Sequence, residues 1–181
     1  LLYHIHPPTT IIKSEEPKNI QPQIATENIL KHRSFQGFKV KPIADYLESR
    51  KPVLVNNDCH ISLAAPMESM STYFYKNADA DEMIFVHEGS GILHTMYGDL
   101  PFGYGDYLMI PRGTIFFFFF NDENNRLLIV ESFSPIEIPK RYRNEYGQLE
   151  EHAPYCERDI RKPQNLKTHD EKGDFKVLIK K

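Results

Sequence analysis

Eight histidines are the residues from which this chain could build metal chemistry, and their spacing argues against it. Two histidines at i and i+2 of a strand face the same side. With one carboxylate they suit Fe(II) or a similar divalent ion. His4-x-His6 has that spacing, but it sits in an extended arm before Pro7 and Pro8 with no carboxylate at a matching offset. His87 and His94 lie near a glycine-rich hairpin turn and are expected to be surface or half-buried residues rather than ligands. Glu82, with no such histidine pair before it, is expected to be a paired or hydrogen-bonded structural carboxylate. Arg112, in the turn Pro111-Arg112-Gly113, is expected to be structural, with contact to a substrate or a neighbouring subunit as the alternative. O2 or hydride chemistry would need a redox metal or an organic cofactor, and no dinucleotide fingerprint is present. No catalytic, cofactor-binding or metal-ligating residue is therefore assigned. Cys59 and Cys156 are far apart and read as free, buried or half-buried thiols of a reduced cytosolic protein.

The elements that would position these groups are strands. The 181 residues include 12 Phe and 10 Tyr, enough aromatic bulk for a real core, while 13 Pro and 9 Gly punctuate the chain. That punctuation suits short strands better than long helices. Residues 1–51 read as an extended arm, because Pro7, Pro8, Pro17, Pro22 and Pro42 forbid long helices and favour edge strands. Within it, 43–49 has room for one or two helical turns. Residues 52–134 read as the barrel, with strands at 53–55, 61–64, 83–86, 92–97, 107–110, 114–120 and 127–130. Along 92–97, Ile92, His94 and Met96 share one face, and Leu93, Thr95 and Tyr97 the other. Glu88-Gly89-Ser90-Gly91 predicts a tight turn with two glycines able to take positive φ. The five phenylalanines Phe116 to Phe120 leave two readings open: a strand covered on both faces, the outer one by another subunit, or a stretch whose sequence is itself in question. Residues 135–181 read as an extension, polar to about 170 and anchored on protein by Ile136, Ile138, Tyr142, Tyr146, Leu149 and Tyr155. It ends in a further strand at 175–179.

The predicted fold is all-β: a jelly-roll barrel with an extended N-terminal arm and a C-terminal extension. Net charge is −3 and no basic stripe appears, which excludes a broad nucleic-acid surface. No apolar run reaches the length of a membrane span. The chain opens on Leu1-Leu2-Tyr3 without a charged start or an initiator Met, so no signal peptide is expected, and residues preceding Leu1 are.

Gly105, followed by Pro111-Arg112-Gly113, resembles the second metal motif of cupin-type barrels, and Glu82 with Gly89 resembles part of the first. The third-histidine position falls on Phe116. The first two fall on Lys76 and Ala78, or on Tyr75 and Asn77. The frame of such a site is kept and its ligands are gone. The strings Asn77-Ala78-Asp79-Ala80-Asp81-Glu82, Gly105 through Gly113, Glu131-Ser132-Phe133-Ser134-Pro135-Ile136, Pro139-Lys140-Arg141-Tyr142-Arg143-Asn144, Gly147-Gln148-Leu149, and His152 through Asp159 resemble homogentisate 1,2-dioxygenase of bacterial type along nearly the whole chain.

That resemblance implies a two-barrel enzyme about twice this length, of which this chain matches the N-terminal, metal-free half. It implies Fe(II) held by the C-terminal half, which is absent from this chain. It implies cleavage of a small aromatic substrate (homogentisate and O2 to maleylacetoacetate, in tyrosine and phenylalanine catabolism) in a cytoplasmic homo-oligomer, a trimer or hexamer. The partners would be the C-terminal cupin half and neighbouring subunits. No iron-binding or catalytic residue of the family carries over to a position here, and the Phe run departs from its pattern. Two further readings compete. One is a free-standing, metal-free barrel for binding or oligomerisation. The other is a cupin enzyme of another class, such as a sugar-phosphate isomerase, which would need the missing histidines.

Overall fold

Alternation of apolar side chains sets the architecture. The structure, a computed structural model, describes residues 3–7, 10–26 and 32–181. Its strands are β1 (Lys51–Val55), β2 (Cys59–Ala64), β3 (Phe74–Asn77), β4 (Asp81–Glu88), β5 (Gly91–Thr95), β6 (Gly98–Phe102), β7 (Tyr107–Ile110), β8 (Ile115–Phe120), β9 (Arg126–Ser132) and β10 (Val177–Lys180). They form two five-stranded sheets, β1-β2-β9-β4-β7 and β10-β3-β8-β5-β6. Every pairing is antiparallel except β10 on β3, which is parallel. The first sheet turns Ser62, Ile84, Val86, Leu108, Ile110, Leu127 and Ile129 inward, and the second turns Tyr75, Leu93, Phe102, Phe116, Phe118 and Phe120 to meet them. The result is the all-β barrel that the turn spacing predicts.

Two strands are illegible from pattern alone. β3 reads Phe-Tyr-Lys-Asn and β6 reads Gly-Asp-Leu-Pro-Phe, so neither has the apolar or β-branched run that marks a strand. Pro101 is tolerated because β6 is an edge strand, and Pro52 because β1 is another. The turn at 88–91 does not close a hairpin, since β4 and β5 lie in different sheets and the chain switches sheet there. Gly89 takes φ +100°. Gly91 does not take positive φ; it is needed because a Cβ would stand 2.1 Å from the Phe119 carbonyl oxygen. The alternation from Ile92 stops at Thr95, where Met96 and Tyr97 turn into β6. His87 and His94 therefore lie in strands β4 and β5.

The phenylalanine run is an ordinary half-buried strand. Phe116, Phe118 and Phe120 point into the core, while Phe119 is 48% exposed. Phe117 is covered from within the chain: His94 stacks on it at 4.5 Å and Phe74 meets it edge-on at 5.4 Å. Within this chain the outer face of the strand is thus covered at Phe117 and open at Phe119.

Among the described residues of the arm, Lys51 alone lies in a strand, where the edge strand β1 begins; Leu1, Leu2 and Pro8 lie outside the described residues. A 3-10 turn at Gly37–Lys39 lies against Leu63, and Arg126 donates to the Val40 carbonyl. The helical segment expected at 43–49 is a single turn. Asp45 starts it, its Oδ1 accepting from Leu47 N at 3.0 Å and Glu48 N at 3.1 Å.

In the extension, Ile136, Ile138, Tyr142, Leu149 and Tyr155 are half-buried, as anchors should be. Tyr146 is 80% exposed and anchors nothing, because it sits at the tip of the turn at Asn144–Gly147. Gln164 pairs antiparallel with Asp99 at the β6 edge, and β10 then occupies the opposite edge of the same sheet.

Candidate functional site: a buried ionic cluster in the barrel

Strand phase decides which residues stand at the positions that would hold a metal. β3 points Tyr75 and Asn77 inward, both nearly inaccessible, and leaves Lys76 half-exposed on the other face. Of the two alternatives, the inward pair is therefore Tyr75 and Asn77, not Lys76 and Ala78. Phe116 lies beside Tyr75 by register, and their rings meet edge-on at 5.4 Å. Glu82 is fully buried on β4.

These positions do not form an open site; they form one wall of a closed polar cluster. Glu82 Oε2 accepts from the Tyr46 hydroxyl at 2.8 Å. Its Oε1 accepts from Arg50 Nη1 at 2.9 Å, Asn77 Nδ2 at 2.9 Å and the Tyr75 hydroxyl at 3.4 Å. Glu131 stands directly opposite Glu82 across the β4–β9 pair. Two carboxylates so placed repel one another. Arg50 bridges them, with Nη2 2.8 Å from Glu131 Oε2. Asn77 ties them again, its Nδ2 donating to Glu131 Oε1 at 2.7 Å. The Asn77 carbonyl oxygen is used as well, accepting from the backbone of Asp79 and Ala80. Lys180 of β10 donates to Glu131 Oε1, and His60 Nδ1 is 3.8 Å from Glu131 Oε2.

The electrostatics follow from burial and these partners. Burial alone would raise the Glu131 carboxyl, but Arg50, Lys180 and Asn77 outweigh it and hold it below its ordinary range. Burial works against the Arg50 cation, yet the surrounding Tyr46, Glu82 and Glu131 push its pKa upward. Tyr46 and Tyr75 are raised, first by burial and then by Glu82, so both keep their protons and donate. Burial lowers His60 despite Glu131. Two acids and two bases thus neutralise one another inside the barrel.

The other predicted groups find partners within the chain. Arg112 packs back on its own barrel: its amide donates to Asp81 Oδ1 at 2.9 Å, and Nη2 to the Phe133 carbonyl at 3.0 Å. His94 bonds Asp99 at 2.6 Å, and His87 packs against Phe38 at 4.8 Å. His6 is exposed and pairs with Asp170 at 2.5 Å. Cys59 and Cys156 are free and half-buried. Sequence reasoning missed Tyr46, Arg50, His60, Glu131 and Lys180 as members of one cluster. For Glu131 the signal exists: it continues the inward phase of Leu127 and Ile129, as Glu82 begins that of Ile84 and Val86.

The donor set does not fit Fe(II). Phe116 has no lone pair, Asn77 has spent its groups, and both Glu82 oxygens are engaged by protein donors. Two fixed cations already stand beside the carboxylates. No metal-dependent step is derived at this place.

An acid dependence follows. Glu131, Asp81 and His60 all bind protons less readily folded than unfolded. Stability should be full above the ordinary histidine value of 6.5. It should begin to fall below that, as His60 charges in the unfolded chain first. It should fall further below 4.5 and 3.8, the ordinary values for Glu131 and Asp81. Urea midpoints measured from pH 8 to pH 3 check this; a midpoint that holds at pH 3 would contradict it.

Comparison with protein-family models gives no match. The chain is 38% identical over 180 residues to a protein of Saccharolobus solfataricus named "Putative dioxygenase", covering 99% of this chain and 46% of that protein. It therefore spans about half the length of that curated relative. A cupin-2 domain protein of Shewanella frigidimarina is 21% identical and covers 46% of this chain and 79% of that one, with a TM-score of 0.40. The SPY1581 protein of Streptococcus pyogenes is 12% identical and covers 61% of this chain and 95% of that one, with a TM-score of 0.46. Structural likenesses this low carry no functional argument. The chain is an all-β barrel similar, over nearly its whole length, to about half of a protein named as a dioxygenase.

Proposed function

We propose that this chain is the metal-free structural half of a non-haem Fe(II) ring-cleaving dioxygenase acting on homogentisate, with the iron and the chemistry in a second barrel. The observation that carries this reading is the inner cluster: Tyr75, Asn77 and Phe116 stand at the three ligand positions, and Arg50 neutralises the remaining carboxylates. The similarity to half of a protein named as a dioxygenase supports it. So do the strings that resemble homogentisate dioxygenases. On this reading the chain supplies scaffold, contacts to the second half and to neighbouring subunits of a trimer or hexamer, and a wall of the pocket for a small aromatic substrate.

The test compares the 181-residue chain with a polypeptide that also carries a C-terminal barrel. Homogentisate-dependent O2 consumption and stoichiometric iron are expected in the longer protein alone. Iron bound one-to-one by the chain itself, or a native polypeptide with an intact mass of 21.2 kDa, would overturn the proposal.

A further inference from the structure

β10 is the one described strand whose only pairing is parallel; like β7 it has four residues and a single neighbour, here β3. Leu178 is 37% and Ile179 49% exposed, so its apolar burial is slight. The segment that leads to it, residues 165–176, is exposed throughout. That segment leaves Gln164 at the β6 edge and must reach the opposite edge of the same sheet. Along it, the contacts to the rest of the chain are surface ones, such as Lys176 with Glu15 at 3.4 Å and Phe175 with Phe74 at 6.3 Å. Against this loose attachment stands one deep anchor: the Lys180 side chain, 18% exposed, enters the cluster and binds Glu131. Elements with little buried apolar surface open locally, well before the whole domain unfolds.

We propose that β10 and residues 165–176 form a latch that opens on an otherwise intact barrel, seated by Lys180 on Glu131. Opening turns β3 into an edge strand with unpaired N–H and C=O groups. The exposed seat fits a short extended strand whose fourth side chain is cationic, the kind of segment that joins a sheet by β-addition. The inference is independent of the dioxygenase reading, since it uses only the pairing of β10 and the burial of its anchor.

Amide hydrogen exchange on the 181-residue chain tests it. The reporters are Phe74 and Ala78, whose N–H groups donate to the Lys176 and Lys180 carbonyls at 2.8 and 2.9 Å. The reference is β4, which is paired on both sides. Phe74 and Ala78 should exchange at least about ten-fold faster than the β4 amides. Lys180→Met should accelerate the two reporters by about a further ten-fold, with β4 accelerated by no more than that factor and still the better protected, and Lys180→Arg should restore protection. Equal protection of reporters and β4 in the native chain, or no effect of Lys180→Met on the reporters, would each overturn the latch.

Discussion

Replacing Arg50 with methionine should destabilise the fold by about 3–5 kcal/mol, among the largest losses available to a single substitution here. The guanidinium is nearly inaccessible and bridges Glu82 and Glu131, which face each other across β4 and β9. Methionine fills similar volume, so the loss reports charge rather than a cavity. Two buried carboxylates would then share Lys180 as their one close full cation. The measurement is the urea midpoint at pH 7. A companion experiment separates the ion pair from the packing. Glu131→Leu alone strands Lys180 and leaves Arg50 with Glu82 only, whereas Glu131→Leu with Lys180→Met removes one charge of each sign. The double variant should be more stable than the Glu131→Leu single. If it is less stable by the full cost of Lys180→Met, the two residues do not interact and the cluster has been misdescribed.

Phe118→Ala should cost about 3–5 kcal/mol by a different route. Phe118 is fully buried at the centre of an aromatic stack. Tyr46 lies 4.8 Å from it, Phe120 5.2 Å, Phe102 5.6 Å and Phe116 5.7 Å, ring centre to ring centre. Four rings converging from β6, β8 and the Asp45 turn cannot all move inward to fill the space. Phe119→Ala is the control, on the same strand and in the same run but facing outward and 48% exposed. Its cost should stay within about 1 kcal/mol. Similar losses at 118 and 119, read from chemical melts, would mean that the outer face of β8 is covered by something beyond this chain.

How much of this is legible beforehand depends on how far apart in the chain the cause lies. Strands such as Met83–Val86 and Leu127–Val130 announce themselves because a short continuous apolar run bounded by turn residues is a local property. The choice between Tyr75/Asn77 and Lys76/Ala78 is not local. It turns on the register of β3 against β8, which places Tyr75 beside Phe116. The cluster is less legible still. Arg50 sits just before a proline-containing edge strand, and Lys180 follows three apolar residues. Each reads in isolation as a solvated charge, and only the closed barrel brings them to the same carboxylate. Glu82 and Glu131 were within reach, since each falls in the inward phase of an otherwise apolar strand. β6 was not, because Gly98, Asp99 and Pro101 each count against a strand, and only the edge position excuses them.

The long reach of those ionic contacts also bears on the order in which the molecule assembles. Lys180 and Glu131 are 49 residues apart in the chain, Asn77 and Glu131 54, Tyr46 and Glu82 36, and Arg50 and Glu82 32. Closing loops of that length is entropically costly, so such contacts are made late, after the nearer strand pairs have met. Interactions absent from the transition state act on the return journey: removing them hastens unfolding and leaves the folding rate nearly untouched. The charges sealed inside this barrel are therefore a brake on its opening.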